Sequence, residues 1–418
     1  MQTFGSYLTE DKGGKNLHLE HIEDEIVNYG ISGGRASINF LRSLRNMLAG
    51  SATKSVNMTV KWDGAPAIFA GEDPSDGKFF VAKKSVFNAT PLLYKSIEEI
   101  SDDQKLSDTL KSKFTIAFTE FKKLGIKGVL QGDLMFTDDV STKTIDGESY
   151  YTFQPNTLVY AVPTNTDLGK KINSAKVGVV WHTTYTGSDL QMMSASFGVN
   201  ISGLRKPSTV WMDDATYKDV SGNAKMTKSE TDLVTKELSK AGSSFRKIKS
   251  DELSKFQKMQ TEVMKGGLSG ASFKTYLNSF IKNGEKFSLD KVKKLDYAMY
   301  VKRYFDEKVI IKLKTEKARA EKEELRDSIV KELLSMNKTV YSVIEFMGYI
   351  VEAKSLIVNK LNKIQQLAKV FIRTDNGYKV TNVEGYVAID TDGKTAVKLV
   401  DRLEFSYNNF TAAKNWDK

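Results

Sequence analysis

Val60-Lys61-Trp62-Asp63-Gly64-Ala65-Pro66 is the stretch whose reading decides the fold. The run that leads into it, Val56 to Val60, alternates apolar and polar positions as a half-buried strand does. A lysine therefore closes a strand, followed after one spacer by a carboxylate and then by a glycine that permits a tight turn. An amine at such a strand mouth is placed to attack a bound phosphate.

Beyond Lys61 the chain reads as sheet. Ala67–Gly71 and Lys78–Ala82 are apolar runs joined by Glu72-Asp73-Pro74-Ser75-Asp76-Gly77, and the second run ends in Lys83-Lys84. Residues 91–124 have helical spacing through Leu106, Leu110, Phe114, Ala117, Phe118 and Phe121. Gly128–Phe136 is an apolar strand interrupted by Gly132-Asp133-Leu134, and Thr157–Pro163 is a strand carrying Tyr160. Lys176–His182 is a buried strand; a packed Trp181 with a satisfied His182 is its simple reading, and the alternative is that the two line a cleft at its end. Near the far end, Val383–Asp390 holds Glu384-Gly385, Asp392-Gly393 supplies a hairpin turn, and Thr395–Arg402 returns with Lys398, Val400 and Arg402 on one face.

Upstream, residues 17–49 are helical, with Leu19, Ile22 and Ile26 on one face, a break at Gly30, Gly33 and Gly34, and a second amphipathic helix. That helix turns Ile38, Leu41, Leu44 and Leu48 inward and Arg35, Arg42 and Arg45 outward. His18 and His21 read as a polar helix surface, with a shared metal as the alternative. Gly50–Ser55 lacks the glycine and the preceding strand of a phosphate-binding loop. From Gly203 to about residue 370 the texture is lysine- and glutamate-rich with helical periodicity, including helices from Val292 past Tyr304 and from Lys317 to Ser335. The cleanest apolar face lies in residues 340–371; Glu345, Glu352 and Lys354 interrupt it, which excludes a membrane span.

The 418 residues are 40% hydrophobic, enough for two or three domains. The absence of cysteine excludes disulfides and thiolate zinc sites, and three histidines leave little for a histidine metal site. The N-terminus has no apolar signal core, so a soluble cytoplasmic protein is expected, with no membrane partner. A formal charge of +10 suits a polyanion such as nucleic acid.

The order of these elements resembles the covalent nucleotidyltransferases, the superfamily of DNA ligases, RNA ligases and mRNA-capping guanylyltransferases. Lys61-x-Asp63-Gly64 is similar to its motif I, and Gly132-Asp133-Leu134 to motif III with an acid one methylene shorter. The Tyr160 strand is similar to motif IIIa without the usual neighbouring acid, and Glu384-Gly385-x-Val387 to motif IV. Lys398-x-Val400 resembles motif V with valine in place of its second lysine.

This resemblance implies an α+β fold: a ligase-like antiparallel sheet domain with N-terminal helices and a large all-α insertion. The expected parts are an N-terminal helical segment 1–55, a sheet domain in two pieces, 56–203 and 373–418, and an inserted helical domain 204–372. It implies ATP and Mg²⁺, with Mn²⁺ as a substitute, and a lysyl-AMP intermediate on Lys61. Lys398 would lower the amine's pKa and neutralise phosphate charge. Glu384 and Asp133 would be metal ligands, Asp133 also approaching the ribose. Asp63 would hold the loop or meet the acceptor, and Gly64 would allow the close turn. Lys83 and Lys84 would face phosphate or the acceptor strand, Tyr160 would stack on the base, and Arg402 would stand in for the missing lysine.

Two departures select the subclass. Pro66 stands where many DNA ligases and capping enzymes carry arginine, and only residues 401–418 follow motif V, too few for their C-terminal OB-fold. The expectation is an ATP-dependent RNA ligase. The alternatives are a DNA ligase or guanylyltransferase variant, a non-catalytic nucleic-acid-binding or virion-associated protein keeping the fold, and, last, a hydrolase centred on His18 and His21. The chain as a whole also resembles uncharacterised proteins of T4-like tailed phages that share the His18-Leu19-Glu20-His21 and Lys61-Trp62-Asp63-Gly64 stretches, which would place it in a host cytoplasm.

Overall fold

The strand that carries Lys61 pairs with strands from the other end of the chain. In the computed structural model, which describes residues 20–50, 57–216, 225–285, 296–363, 368–374, 377–389 and 396–401, a bent helix α1 (Glu25–Leu48) precedes β1 (Asn57–Lys61). The β2–β3 hairpin (Ala67–Glu72, Phe79–Ala82) follows, then helices α2 (Ile97–Asp102) and α3 (Asp108–Phe121). Next come β4 (Val129–Phe136), β5 (Ser141–Ile145), β6 (Glu148–Phe153), β7 (Leu158–Pro163), α4 (Asp167–Ser174), β8 (Val177–Thr186), β9 (Ser194–Phe197) and β10 (Val210–Asp214). Among the described residues six α-helices follow: α5 (Lys228–Phe245), α6 (Ser250–Lys265), α7 (Phe273–Lys282), α8 (Tyr297–Tyr304), α9 (Glu316–Ser335) and α10 (Asn337–Asn362). Strands β11 (Lys369–Thr374), β12 (Gly377–Val380), β13 (Gly385–Ile389) and β14 (Ala396–Val400) return to the sheets.

Three sheets result. β1-β13-β14 form the smallest, β10-β8-β4-β2-β3 with β9 beside β8 the second, and β12-β11-β7-β6-β5 the third. Among the described strands every strand pairing is antiparallel except β10 on β8, which is parallel. In the small sheet Lys61 lies opposite Gly385 and Val387 opposite Lys398, so lysines 337 residues apart in number share one patch of three strands. The turn after β1 then docks on the second sheet: the Ala65 amide donates to the Leu134 carbonyl (3.0 Å) and the Leu134 amide to the Pro66 carbonyl (3.1 Å). This docking brings Asp133 beside Lys61.

Several expectations are refined. The helix break falls at Gly30, whose φ of 62° an L side chain rarely adopts, and Ile22, Ile26, Ile38, Leu41, Leu44 and Leu48 are buried as their spacing requires. The helical spacing of the 91–124 segment is realised as two helices, α2 and α3. The helical insertion is narrower than residues 204–372: β10 still belongs to the second sheet, and β11 begins at Lys369, where the helical periodicity was expected to run to residue 371. Val370 and Phe371 are apolar in either period, and pairing with β7 and β12 selects the strand. The N-terminal helix is not a separate body either, since α1 packs on α5, α6 and α10 of the insertion within one apolar core. Gly34 permits that contact, because a Cβ there would meet the Phe245 ring at 2.7 Å.

Candidate active site

Lys61 ends β1 with its ammonium in contact with the Glu384 carboxylate, a partner 323 residues away in the chain. The Lys61 side chain is 26% exposed and that of Glu384 9%, so the pair is partly dry and still reachable. Gly385 sets the geometry: its φ is +153°, and a Cβ would lie 2.6 Å from the Leu399 carbonyl oxygen. Only glycine lets the chain turn there and still place Glu384 over Lys61.

Asp63 is buried and fully occupied. Its carboxylate accepts from Asn156 Nδ2 (2.7 Å) and from the Thr157 and Leu158 amides (2.8 Å each), and its own amide donates to the Tyr160 hydroxyl (2.7 Å). Of the two roles expected for it, holding the loop is the one its contacts perform; its oxygens are not free for an acceptor. Tyr160 corrects a second expectation. Its ring is fully buried, 5.2 Å from Trp62 and 5.6 Å from Phe153, and offers no face to a base. Aromatics on strands fill cores unless a groove exposes them, and here the core takes it.

Asp133 and His182 complete the cluster. A register shift between Gln131 and Gly132 pairs Thr183 and Trp181 with consecutive β4 residues and leaves His182 as the extra residue of a β-bulge. The bulge puts His182 Nε2 3.9 Å from Asp133 Oδ1, while its Nδ1 meets Thr183 Oγ1 at 2.8 Å. Trp181, by contrast, is wholly buried, as its simple reading had it. Of the two residues that could line a cleft, His182 therefore does reach the cluster; the bulge that turns it there leaves no mark in apolar periodicity.

Lys398 approaches from β14, held by its amide donating to the Glu20 carbonyl (3.1 Å). The remaining expected residues lie apart. Lys83 faces Asp103 electrostatically and Lys84 is exposed at the start of a 3-10 turn; among the described residues neither bonds to the Lys61 cluster. Arg402 and His18 lie outside the described residues. His21 points its ring toward Glu23 (Nδ1 to Oε1, 3.9 Å).

The electrostatics follow from three carboxylates crowding one amine. Burial alone would lower the pKa of Lys61, but Glu384, Asp133 and Asp63 more than reverse it, and the net direction is upward. Burial pushes Asp133 up to about 7, with Lys61 opposing and Asp63 adding to the rise. Burial first, and the nearby Lys61 charge second, lower His182 to about 4. Lys398 falls to about 8, through burial first and the Lys61 charge second. The amine is thus held as an ammonium by the carboxylates around it.

Gly64 shields this arrangement. A Cβ there would sit 2.4 Å from Asp133 Cβ and 3.1 Å from the Leu134 carbonyl, backbone that cannot easily yield. Gly64→Ala should therefore displace Asp133 at a cost of about 1–3 kcal/mol. Urea unfolding would measure the loss, and a variant as stable as the parent would show that β4 moves freely.

Fold and site together describe an α+β protein whose antiparallel strands gather a lysine, three carboxylates and a second lysine at the junction of two sheets. The chain belongs to the Family of unknown function (DUF6267), which matches residues 16–414. No curated protein and no solved structure matches the chain. Among the described residues no helix is long and apolar enough to cross a membrane.

Proposed function

We propose that the protein is an ATP-dependent polynucleotide ligase, with RNA ends as its substrate, acting through a nucleotide carried on Lys61. One observation carries this reading: the lysine of Lys61-x-Asp63-Gly64 and the acid of Glu384-Gly385 touch, with Asp133 and Lys398 around them, although the four are scattered from residue 61 to residue 398. A lysine buried among acids is an unusual expense for a fold unless it is used. The helical insertion, an accessory body of the kind RNA ligases bring, supports RNA over DNA.

In the proposed step Lys61 Nζ gives one proton to Glu384, its contact partner, and the neutral amine attacks the α-phosphorus of ATP. The N–P bond forms as the bond to the β-phosphate oxygen breaks, and pyrophosphate leaves with the electron pair and takes the second amine proton. Charge balances: an ammonium, a carboxylate and ATP⁴⁻ give a phosphoramidate monoanion, a carboxylic acid and singly protonated pyrophosphate. Lys398, opposite the forming charge, offsets it.

Among the described residues no three acidic or histidine side chains already stand as a metal group. Nucleotide-bound Mg²⁺ needs only one or two carboxylates besides phosphate and water, and Asp133, beside Lys61, fits that demand, with Glu384 a second ligand only until it takes the amine proton. Mg²⁺ or Mn²⁺ bound there would supply charge neutralisation on the phosphates.

Because Lys398 titrates near 8, its ammonium is present below that pH and lost above it. Affinity for ATP should fall as pH rises from about 7 to about 9, and Lys398→Arg, whose charge persists, should flatten that limb. Equal pH profiles for the two proteins would remove Lys398 from the phosphate site.

The test of the function is incubation of the protein with Mg²⁺ and α-labelled ATP or GTP, followed by denaturation. Label from ATP is expected; label from GTP would move the assignment to capping. No label from a folded protein would favour the second reading, a nucleic-acid-binding protein that keeps the fold without the chemistry. The burial of Tyr160, which leaves the base without that platform, is the observation on its side.

A further inference from the structure

One side chain of the helical insertion reaches toward the site from α7. Lys274, in the first turn of α7, places its ammonium 2.7 Å from the Glu20 carboxylate, 254 residues away in sequence. Glu20 is itself fixed beside the site, because its carbonyl accepts the amide of Lys398 (3.1 Å) and His21 bridges to Lys398 along β14. Lys274 is thereby held close enough to Lys398 for the two ammonium groups to repel, while Glu20 attracts both. Its side chain is half exposed, so a ligand can reach it.

Lys61 pairs with Glu384 and Lys274 with Glu20, and Lys398 lies within the electrostatic reach of all four charges. Three cations converging from β1, β14 and α7 are unfavourable unless anions lie between them, and here carboxylates occupy those places. Phosphate oxygens would fill the same places with more charge. A chain of phosphates is the ligand that spans such a set of cations; a single phosphate would satisfy only one gap.

We infer that Lys274 and Lys398 form a two-lysine seat for an oligophosphate, receiving the β- and γ-phosphates of the nucleoside triphosphate, with Glu20 as the internal carboxylate those phosphates displace from Lys274. This inference rests on the nucleotide-transfer reading for the identity of the ligand, but the seat itself is testable without it. It gives the insertion a part in the chemistry: its α7 contributes the outer cation that orients the leaving pyrophosphate. Lys274 is a binding residue of that seat, outside the bond-making centre.

The experiment is calorimetric titration of the full chain with inorganic tripolyphosphate at two salt concentrations, with AMP as a control. Lys274→Ala should weaken tripolyphosphate binding about tenfold, the worth of one charge-assisted contact, and reduce its salt dependence, with AMP affinity unchanged. Lys274→Arg should restore most of the affinity. Glu20→Gln should bind tripolyphosphate more tightly than the parent, because the competing carboxylate is gone; a purely structural Lys274–Glu20 pair predicts no gain. Tripolyphosphate affinity unchanged in Lys274→Ala, or weakened in Glu20→Gln, overturns the seat, as does a parent protein that binds no tripolyphosphate. If the seat behaves as expected while α-labelled ATP leaves no label on the chain, the nucleotide-transfer reading falls and the seat stands.

Discussion

Lys61→Arg is expected to abolish nucleotide transfer and leave a folded protein. Arginine keeps a cation among Glu384, Asp133 and Asp63, so the three carboxylates stay compensated. What it cannot supply is a neutral amine, because the guanidinium stays protonated at any working pH. Removing a covalent nucleophile costs on the order of 10³-fold or more, far beyond the effect of losing one hydrogen bond. Alanine is the poorer test, since it strips the cation from Glu384 and confounds chemistry with stability. The measurement is label retained on the denatured chain, beside a thermal unfolding curve. Label on the arginine variant at the parent's level would place the nucleophile elsewhere.

The second large effect concerns the joint between the insertion and the small sheet. Lys354 of α10 is buried, 2% exposed, and donates to both carboxylate oxygens of Glu23 (2.9 Å each) and to the Val400 carbonyl of β14 (2.9 Å). Three elements distant in sequence therefore meet on one ammonium, two residues along β14 from Lys398. Lys354→Met should cost about 3–5 kcal/mol, because Glu23, also 2% exposed, is left as a charge without this partner. Adding Glu23→Gln removes that charge and should recover a good part of the loss, as buried pairs replaced together often do. Urea unfolding of the single and double variants reads both numbers. A single variant as stable as the parent would show that water or another group already compensates Glu23. The single variant should also bind ATP less well, since β14 carries Lys398.

The elements of this protein were largely legible as local patterns. The amphipathic faces of α1 and α10 follow from the spacing of Ile38, Leu41, Leu44, Ile350 and Ile357, all buried, because a helix has one period and a core face must repeat with it. The strands around Lys61, Asp133 and Glu384 were readable for the same reason in the period of two. The element bounds slipped where both periods fit, as at Val370 and Phe371, and the register shift that turns His182 toward Asp133 has no signature in a linear pattern, so the sequence left two readings of His182 open. Tyr160 misled for a different reason: an aromatic on a strand looks alike whether it lines a groove or a core, and only the Asp63 amide on its hydroxyl shows which.

Sequence alone, then, determined an α+β chain with a lysine at a strand mouth, an acid-glycine pair at a second and a lysine on the returning third, since these depend on neighbours in the chain. The tertiary structure decided what those residues meet. Asp63 spends its carboxylate on the 156–158 loop, Glu384 closes on Lys61, and Lys274 reaches Glu20 from a helix whose sequence shows only which face is apolar, not which charge its polar face will meet. The physical reason is range: periodicity is set by bonds a few residues long, whereas charge pairing is set by distance in space, which a linear pattern does not contain.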